Sequence, residues 1–180
     1  MNLPNKITIF RVILIPVFLF VYLTSPFEVE VVNAWVALAL FSVAAATDAL
    51  DGYLARKLKL VTNFGKLMDP LADKLLVCAA LVAFAASGTL PAWAVIVMIS
   101  REFYVSGLRQ LALEQNVVLS ASNGAKFKTI TQMVLVIYVM LPVYALVIPV
   151  VVWAVLFVAV VSSVLSAVDY TLKNLSVFRG

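Results

Sequence analysis

The sequence predicts an all-α fold: a polytopic membrane protein with six transmembrane helices and both termini in the cytoplasm. Three observations lead there. Of the 180 residues, 64% are hydrophobic and only 12% are charged, against roughly a quarter charged in soluble domains, and mean hydropathy is +1.10. The apolar residues gather into six runs, each near the roughly 20 residues that a helix needs to cross a bilayer. Taken with the helix ends that flank them, the connections between runs alternate between basic and base-free, which is the asymmetry that sets orientation in a membrane. A chain of this length is expected to form a single domain over residues 1–180.

The first run covers about residues 7 to 23 and stops at Thr24-Ser25-Pro26. No small-residue cleavage site follows it, so it is expected to be a retained span and not a removed leader. The second covers about 32 to 54 and leads through Arg56, Lys57 and Lys59 to the third, about 65 to 86. Ser87-Gly88-Thr89 ahead of Pro91 breaks the helical pattern. The fourth run covers about 92 to 113, the fifth about 126 to 146, and the sixth about 150 to 170, the last two parted near Pro142 and Pro149. No internal repeat is visible, so an inverted-repeat transporter gains no support. Cys78 stands alone in an apolar run and is expected to be a small buried hydrophobe. The chain has no His, which excludes Ser-His-Asp and Cys-His nucleophilic sites and paired-histidine phospholipase-D-like chemistry.

Charge fixes the expected topology. Lys6, then Arg56, Lys57, Lys59 and Lys66, then Arg109, Lys126 and Lys128, then Lys173 and Arg179 mark one side. The connections near 25–31, 87–91 and 142–149 carry no Lys or Arg. The basic side is assigned to the cytoplasm.

Against this apolar background, Asp48, Asp51, Asp69 and Asp73 are four of the nine acidic residues. On helices, a spacing of three or four puts each pair on one face at neighbouring turns. At about 1.5 Å of rise per residue, Asp48 lies about 12 to 15 Å from the basic end of its helix and Asp73 a similar distance from Gly65. Both pairs then sit at one depth, in the cytoplasmic half of the membrane. Carboxylates there are costly unless a cation neutralises them. A donor set of oxygens without His or Cys suits hard divalent ions such as Mg²⁺, Mn²⁺ or Ca²⁺. Two such ions held close together serve phosphoryl transfer. Gly52 and Gly65 suit either close approach of a nucleotide or helix packing, and Arg56 suits either a phosphate contact or an interfacial anchor.

The spaced pattern Asp48, Asp51-Gly52, Ala55-Arg56, Gly65, Asp69 and Asp73 resembles the complete signature of the CDP-alcohol phosphotransferases. The resemblance implies six transmembrane helices, a homodimer, a di-metal site with two Mg²⁺ or Mn²⁺ ions, and displacement of CMP from a CDP-linked substrate by an alcohol hydroxyl. It makes Asp48, Asp51, Asp69 and Asp73 the metal ligands, with Asp73 also the catalytic base. Gly52, Ala55 and Arg56 would line the nucleotide.

Three further blocks, residues 2–11, 100–109 and 126–129, are similar to the bacterial members of that family that use glycerol 3-phosphate. This implies CDP-diacylglycerol as donor, a bacterial inner-membrane location and a cytoplasmic active site; no nucleic acid is expected as a partner. One departure is Ala125, where a glycine is expected before Lys126. Independently of family, a phosphorylated acceptor is a dianion and needs cations that metal ligands cannot supply. The candidates are Arg101, Arg109, Lys126 and Lys128; the two lysines suit interfacial anchoring equally well. Arg101 sits mid-span and needs a partner or a wet cavity. Its neighbour Glu102 is expected to point elsewhere, since adjacent helical residues do not face each other. No function beyond spanning is visible for the sixth run. Relatives with phosphatidylglycerol, inositol phosphate or serine as acceptor, and an ion or proton-coupled transporter, remain as alternatives.

Overall fold

The computed structural model describes residues 3–57, 63–115, 123–141, 149–175 and 177, with side chains over the same ranges except 3–5, 48–57, 63–70, 73, 123 and 149. The described residues form six helices in chain order: α1 Leu3–Thr24, α2 Glu30–Lys57, α3 Asn63–Ala86, α4 Ala92–Glu114, α5 Asn123–Met140 and α6 Pro149–Lys173. Each corresponds to one of the six apolar runs. Helix α5 stops at Met140, short of the expected end, because residue 141 precedes a proline and is steered away from helical geometry. Helix α6 begins on Pro149, whose fixed φ and missing N–H suit a first helical position. Among the described residues, three helical stretches are long and apolar enough to cross a membrane: Lys6–Thr24, Glu30–Thr47 and Val150–Lys173.

The helices fall into two compact units, α1 to α3 in one and α4 to α6 in the other, with the end of α5 from Met140 counted in the first. In the first, α1 and α2 are antiparallel: Arg11 meets Thr47, while Phe18 stacks edge-on against Phe41 at 5.9 Å. Tyr22 near the end of α1 lies against Phe84 near the end of α3 at 5.2 Å. Buried Ala37, Ala44, Ala80 and Ala83 let these helices approach closely.

The α1–α2 connection is held by one side chain. Buried Asn33 accepts from the Phe27 N–H at 2.9 Å and donates to the Phe27 and Val29 carbonyls at 2.8 and 3.3 Å. Ser25 takes a left-handed conformation with φ 46° to end α1, while Gly88, φ +74°, follows α3, the usual glycine solution for a helix end.

In the second unit, α4 and α6 run parallel. Arg101 meets Ser166, Arg109 meets Tyr170 and Gln115 reaches the Val177 carbonyl, so partners advance together along both segments. Val105, Leu108, Ala112, Tyr170 and Val177 form one buried cluster beneath these contacts. Cys78 is only half-buried, not buried as its apolar setting suggests.

Candidate functional site

The backbone carries the acidic signature in helical register. Asp48, Asp51, Gly52, Ala55 and Arg56 lie on α2; Gly65, Asp69 and Asp73 lie on α3. The three-residue and four-residue spacings therefore place each aspartate pair on one helix face, as the pattern requires. The side chains of these eight residues lie outside the described set. The donor set, four carboxylates in a chain without His, fits a hard divalent cation.

Immediately before Asp48, α2 is tied to α1. The Arg11 side chain is fully buried, and its Nε donates to Thr47 Oγ1 at 3.3 Å. The Thr47 hydroxyl in turn donates to the Ala44 carbonyl at 2.6 Å, closing a turn of α2. The tie thus fixes the start of the signature segment against α1.

The candidate acceptor cations lie in the second unit. Arg101 is 8% exposed and is held on two sides: its NH1 donates to Glu102 Oε1 at 3.3 Å and its NH2 to Ser166 Oγ at 2.6 Å. The same Glu102 oxygen also accepts from Lys128 Nζ. This corrects the expectation that Glu102 points away. Side chains 100° apart at their Cα atoms are long enough here for guanidinium and carboxylate to converge over the seam with α5. Arg101 Nε is buried and has no partner among the described residues, leaving a donor available to an anion.

Arg109 is half-buried, donates from Nε to the Tyr170 hydroxyl at 2.9 Å and lies 5.4 Å from the centre of the same ring. Arg109 follows Arg101 by eight residues on α4, about 12 Å of rise along the helix. Lys126 is exposed, about 200° around α5 from Lys128, and no described contact joins it to the cluster. Ala125 is buried in the first turn of α5 and its carbonyl accepts from Thr129 at 3.0 Å. The backbone there is helical, so no glycine is needed.

Sequence reasoning missed what α6 does. Ser162, Ser166, Tyr170 and Asn174 recur every fourth residue and therefore form one stripe. Ser162 pairs with Thr131 of α5 at 2.8 Å, Ser166 with Arg101, and Tyr170 with Arg109. Asn174 donates to the Tyr170 carbonyl at 2.7 Å and steadies that turn. The signal was present: polar residues at period four, following a first half of α6 that is wholly apolar, mark a face with partners. Ser162 and Ser166 also line a cavity of about 430 Å³ between α5 and α6, with Asp169 and Lys173 in its wall.

Two helices bearing a complete paired-aspartate signature, with a buried cation cluster on a second helical unit, define a class of lipid-metabolising transferase. Residues 1–165 match the CDP-alcohol phosphatidyltransferase family, and the chain belongs to it. Membership makes it a transferase of phospholipid biosynthesis, in a family generally dependent on divalent metal.

The relatives are more specific. The chain is 49% identical over 144 residues to the CDP-diacylglycerol–glycerol-3-phosphate 3-phosphatidyltransferase of Bacillus subtilis, a match covering 75% of this chain and 74% of that one. It is 37% identical over 178 residues to the probable phosphatidylglycerophosphate synthase of Mycobacterium tuberculosis, covering 97% and 82%. A Haemophilus influenzae protein with the same name as the Bacillus one is 42% identical over 143 residues, covering 73% and 71%.

Proposed function

We propose that this protein transfers a phosphatidyl group from CDP-diacylglycerol to glycerol 3-phosphate, releasing phosphatidylglycerol phosphate and CMP. The observation that carries the reading is the complete signature, with Asp48 to Arg56 in helical register on α2 and Gly65 to Asp73 in helical register on α3. The names of the similar Bacillus and Haemophilus proteins support the same donor and acceptor.

In this reading Asp48, Asp51, Asp69 and Asp73 hold two divalent cations, Mg²⁺ or Mn²⁺. When bound, such ions neutralise the pyrophosphate charge and stabilise departing CMP. Gly52 and Ala55 leave room for the cytidine nucleotide and Arg56 contacts its phosphate. Arg101, Arg109 and Lys128 bind the acceptor's phosphate, while Lys126, exposed, adds positive charge at the approach. Asp73 accepts the proton from the acceptor's 1-hydroxyl as that oxygen attacks the β-phosphorus in line. One P–O bond forms to the acceptor, the bond to the CMP oxygen breaks, and CMP leaves with the electron pair. A carboxylate kept ionised by neighbouring positive charge is suited to take that proton.

The protein acts as one membrane domain in a bacterial cell membrane, with six spans, cytoplasmic termini and a cytoplasmic active site, and pairs as a homodimer. Several observations support the spanning arrangement: three stretches meet the length and apolarity needed, α1 and α2 are antiparallel, and α4 and α6 are parallel. Base-free connections alternate with connections flanked by basic residues, as external and cytoplasmic loops respectively do. The family likeness alone supports the dimer.

The test is CMP release by purified protein in detergent with CDP-diacylglycerol and Mg²⁺, with and without glycerol 3-phosphate, and with EDTA as control. Release that needs both acceptor and metal is the expected result. Metal-dependent release that prefers phosphatidylglycerol, serine or inositol phosphate would reassign the acceptor, and no release with any of them would refute the transferase reading of this site.

A further inference from the structure

We infer that Glu102 is the positioning residue of the acceptor-phosphate site, the group that holds Arg101 and Lys128 side by side. The inference rests on the reading of those cations as acceptor ligands. One oxygen, Oε1, accepts from Arg101 NH1 at 3.3 Å and from Lys128 Nζ. The cations come from different helices, α4 and α5, and their side chains are only 8% and 4% exposed, with Glu102 at 13%. Two positive charges so placed repel one another, with little water to screen them. Lys128 has a flexible four-carbon stem that can carry its ammonium away.

A carboxylate between them removes the repulsion and fixes the separation at which both meet one phosphate. Glu102 is itself anchored in its turn, where the Ser106 hydroxyl donates to the Glu102 carbonyl at 2.5 Å. On the other flank Ser166 fixes Arg101 NH2 at 2.6 Å. Of the three guanidinium nitrogens, the buried Nε is the one with no partner among the described residues. Glu102 touches neither donor nor reacting atoms in this account. It acts through the two cations.

The discriminating variant is Glu102→Gln, which keeps shape but removes charge. The amide oxygen is a weaker acceptor and the amide N–H groups face an ammonium that they cannot bind. The expected result is a KM for glycerol 3-phosphate raised at least tenfold, with kcat within threefold and the KM for CDP-diacylglycerol within twofold of wild type. A merely structural role would move both KM values and the melting temperature together.

The second variant is the double change Glu102→Gln with Lys128→Met, which removes both halves of the ion pair. With one of its two cations gone, Glu102 has less left to position, so the double variant is expected to match Lys128→Met alone within threefold in acceptor KM. An additional tenfold loss would overturn the inference, and this comparison stands even if Glu102→Gln by itself does not fold. An unchanged or lower acceptor KM in Glu102→Gln, where wild type saturates normally with glycerol 3-phosphate, overturns the role of Glu102 and leaves the proposed function intact. A wild-type protein whose CMP release does not depend on glycerol 3-phosphate overturns the functional reading, and this inference with it.

Discussion

Replacing Tyr170 by Phe separates two things that α6 does for Arg109. The ring is 1% exposed and packs with Val105, Leu108, Ala112 and Val177. The hydroxyl accepts from Arg109 Nε at 2.9 Å, and the ring face lies 5.4 Å from the guanidinium carbon. Tyr170→Phe keeps the packing and the cation–π contact and deletes only the acceptor. A hydrogen bond to a charged group is worth about 1.5 to 3 kcal/mol. Arg109 is half-buried, so water recovers part of that and about 1 to 2 kcal/mol remains. At about 1.4 kcal/mol per factor of ten, the KM for glycerol 3-phosphate should rise roughly 5-fold to 30-fold. The melting temperature in detergent should move little, whereas Tyr170→Ala, which empties an aromatic site worth about 3 to 5 kcal/mol, should lower it sharply. The assay is CMP release at varied glycerol 3-phosphate and saturating CDP-diacylglycerol. An acceptor KM within twofold of wild type in Tyr170→Phe refutes the argument that Tyr170 aims Arg109 at the acceptor.

Asp73→Asn should abolish turnover while leaving the melting profile within a few degrees of wild type; wild-type activity in that variant would sink the assignment of the base. EDTA should stop CMP release and excess Mg²⁺ should restore it, measured on one preparation before and after chelation. Asn33→Ala removes three hydrogen bonds that hold the α1–α2 connection and should cost about 1 to 3 kcal/mol, read as a lower unfolding midpoint with kcat of the folded fraction unchanged. Gly88→Ala meets no atom within 4 Å but must hold φ +74°, so it should cost about 1 to 2 kcal/mol through the backbone alone, and Gly88→Asn should cost less.

The helices were legible because their signal is local. A run of about 20 apolar residues bounded by Ser25-Pro26 or Gly88-Thr89 says where a helix begins and ends whatever it packs against. The signature on α2 and α3 was legible for a related reason: its spacing matches a helical repeat, and carboxylates in apolar sequence call for a cation. The partners of Arg101 were not legible. Adjacent residues diverge on a helix, so Glu102 gives no sign of pairing with Arg101, yet the long side chains bend toward the same seam. Ser166 and Tyr170 lie 65 and 61 residues from the arginines they hold, and no local pattern encodes that distance. The period-four polar stripe of α6 announces a partnered face without naming the partner. Lys126 and Lys128 looked alike in sequence, but two residues is over half a turn, so one is buried in an ion pair and the other is exposed.

The charge balance of the residues around Arg101 argues for a phosphorylated acceptor. Arg101, Arg109 and Lys128 contribute three positive charges and Glu102 one negative, so the cluster carries a net charge of two positive. A phosphate monoester carries about −1.5 to −2 near neutral pH. The match is close, and it is reached with two of the cations almost out of water, where uncompensated charge is expensive. An acceptor such as serine, with no net charge, would leave both excess charges unanswered, and phosphatidylglycerol, a monoanion, would leave one. Inositol phosphate would answer both. Discrimination between it and glycerol 3-phosphate therefore cannot come from the cations, and must come from groups that meet the acceptor's hydroxyls. On the proposed reading, variants of Arg101, Arg109 or Lys128 should weaken both phosphorylated acceptors in parallel. Any residue whose change alters their ratio belongs to a different part of the site.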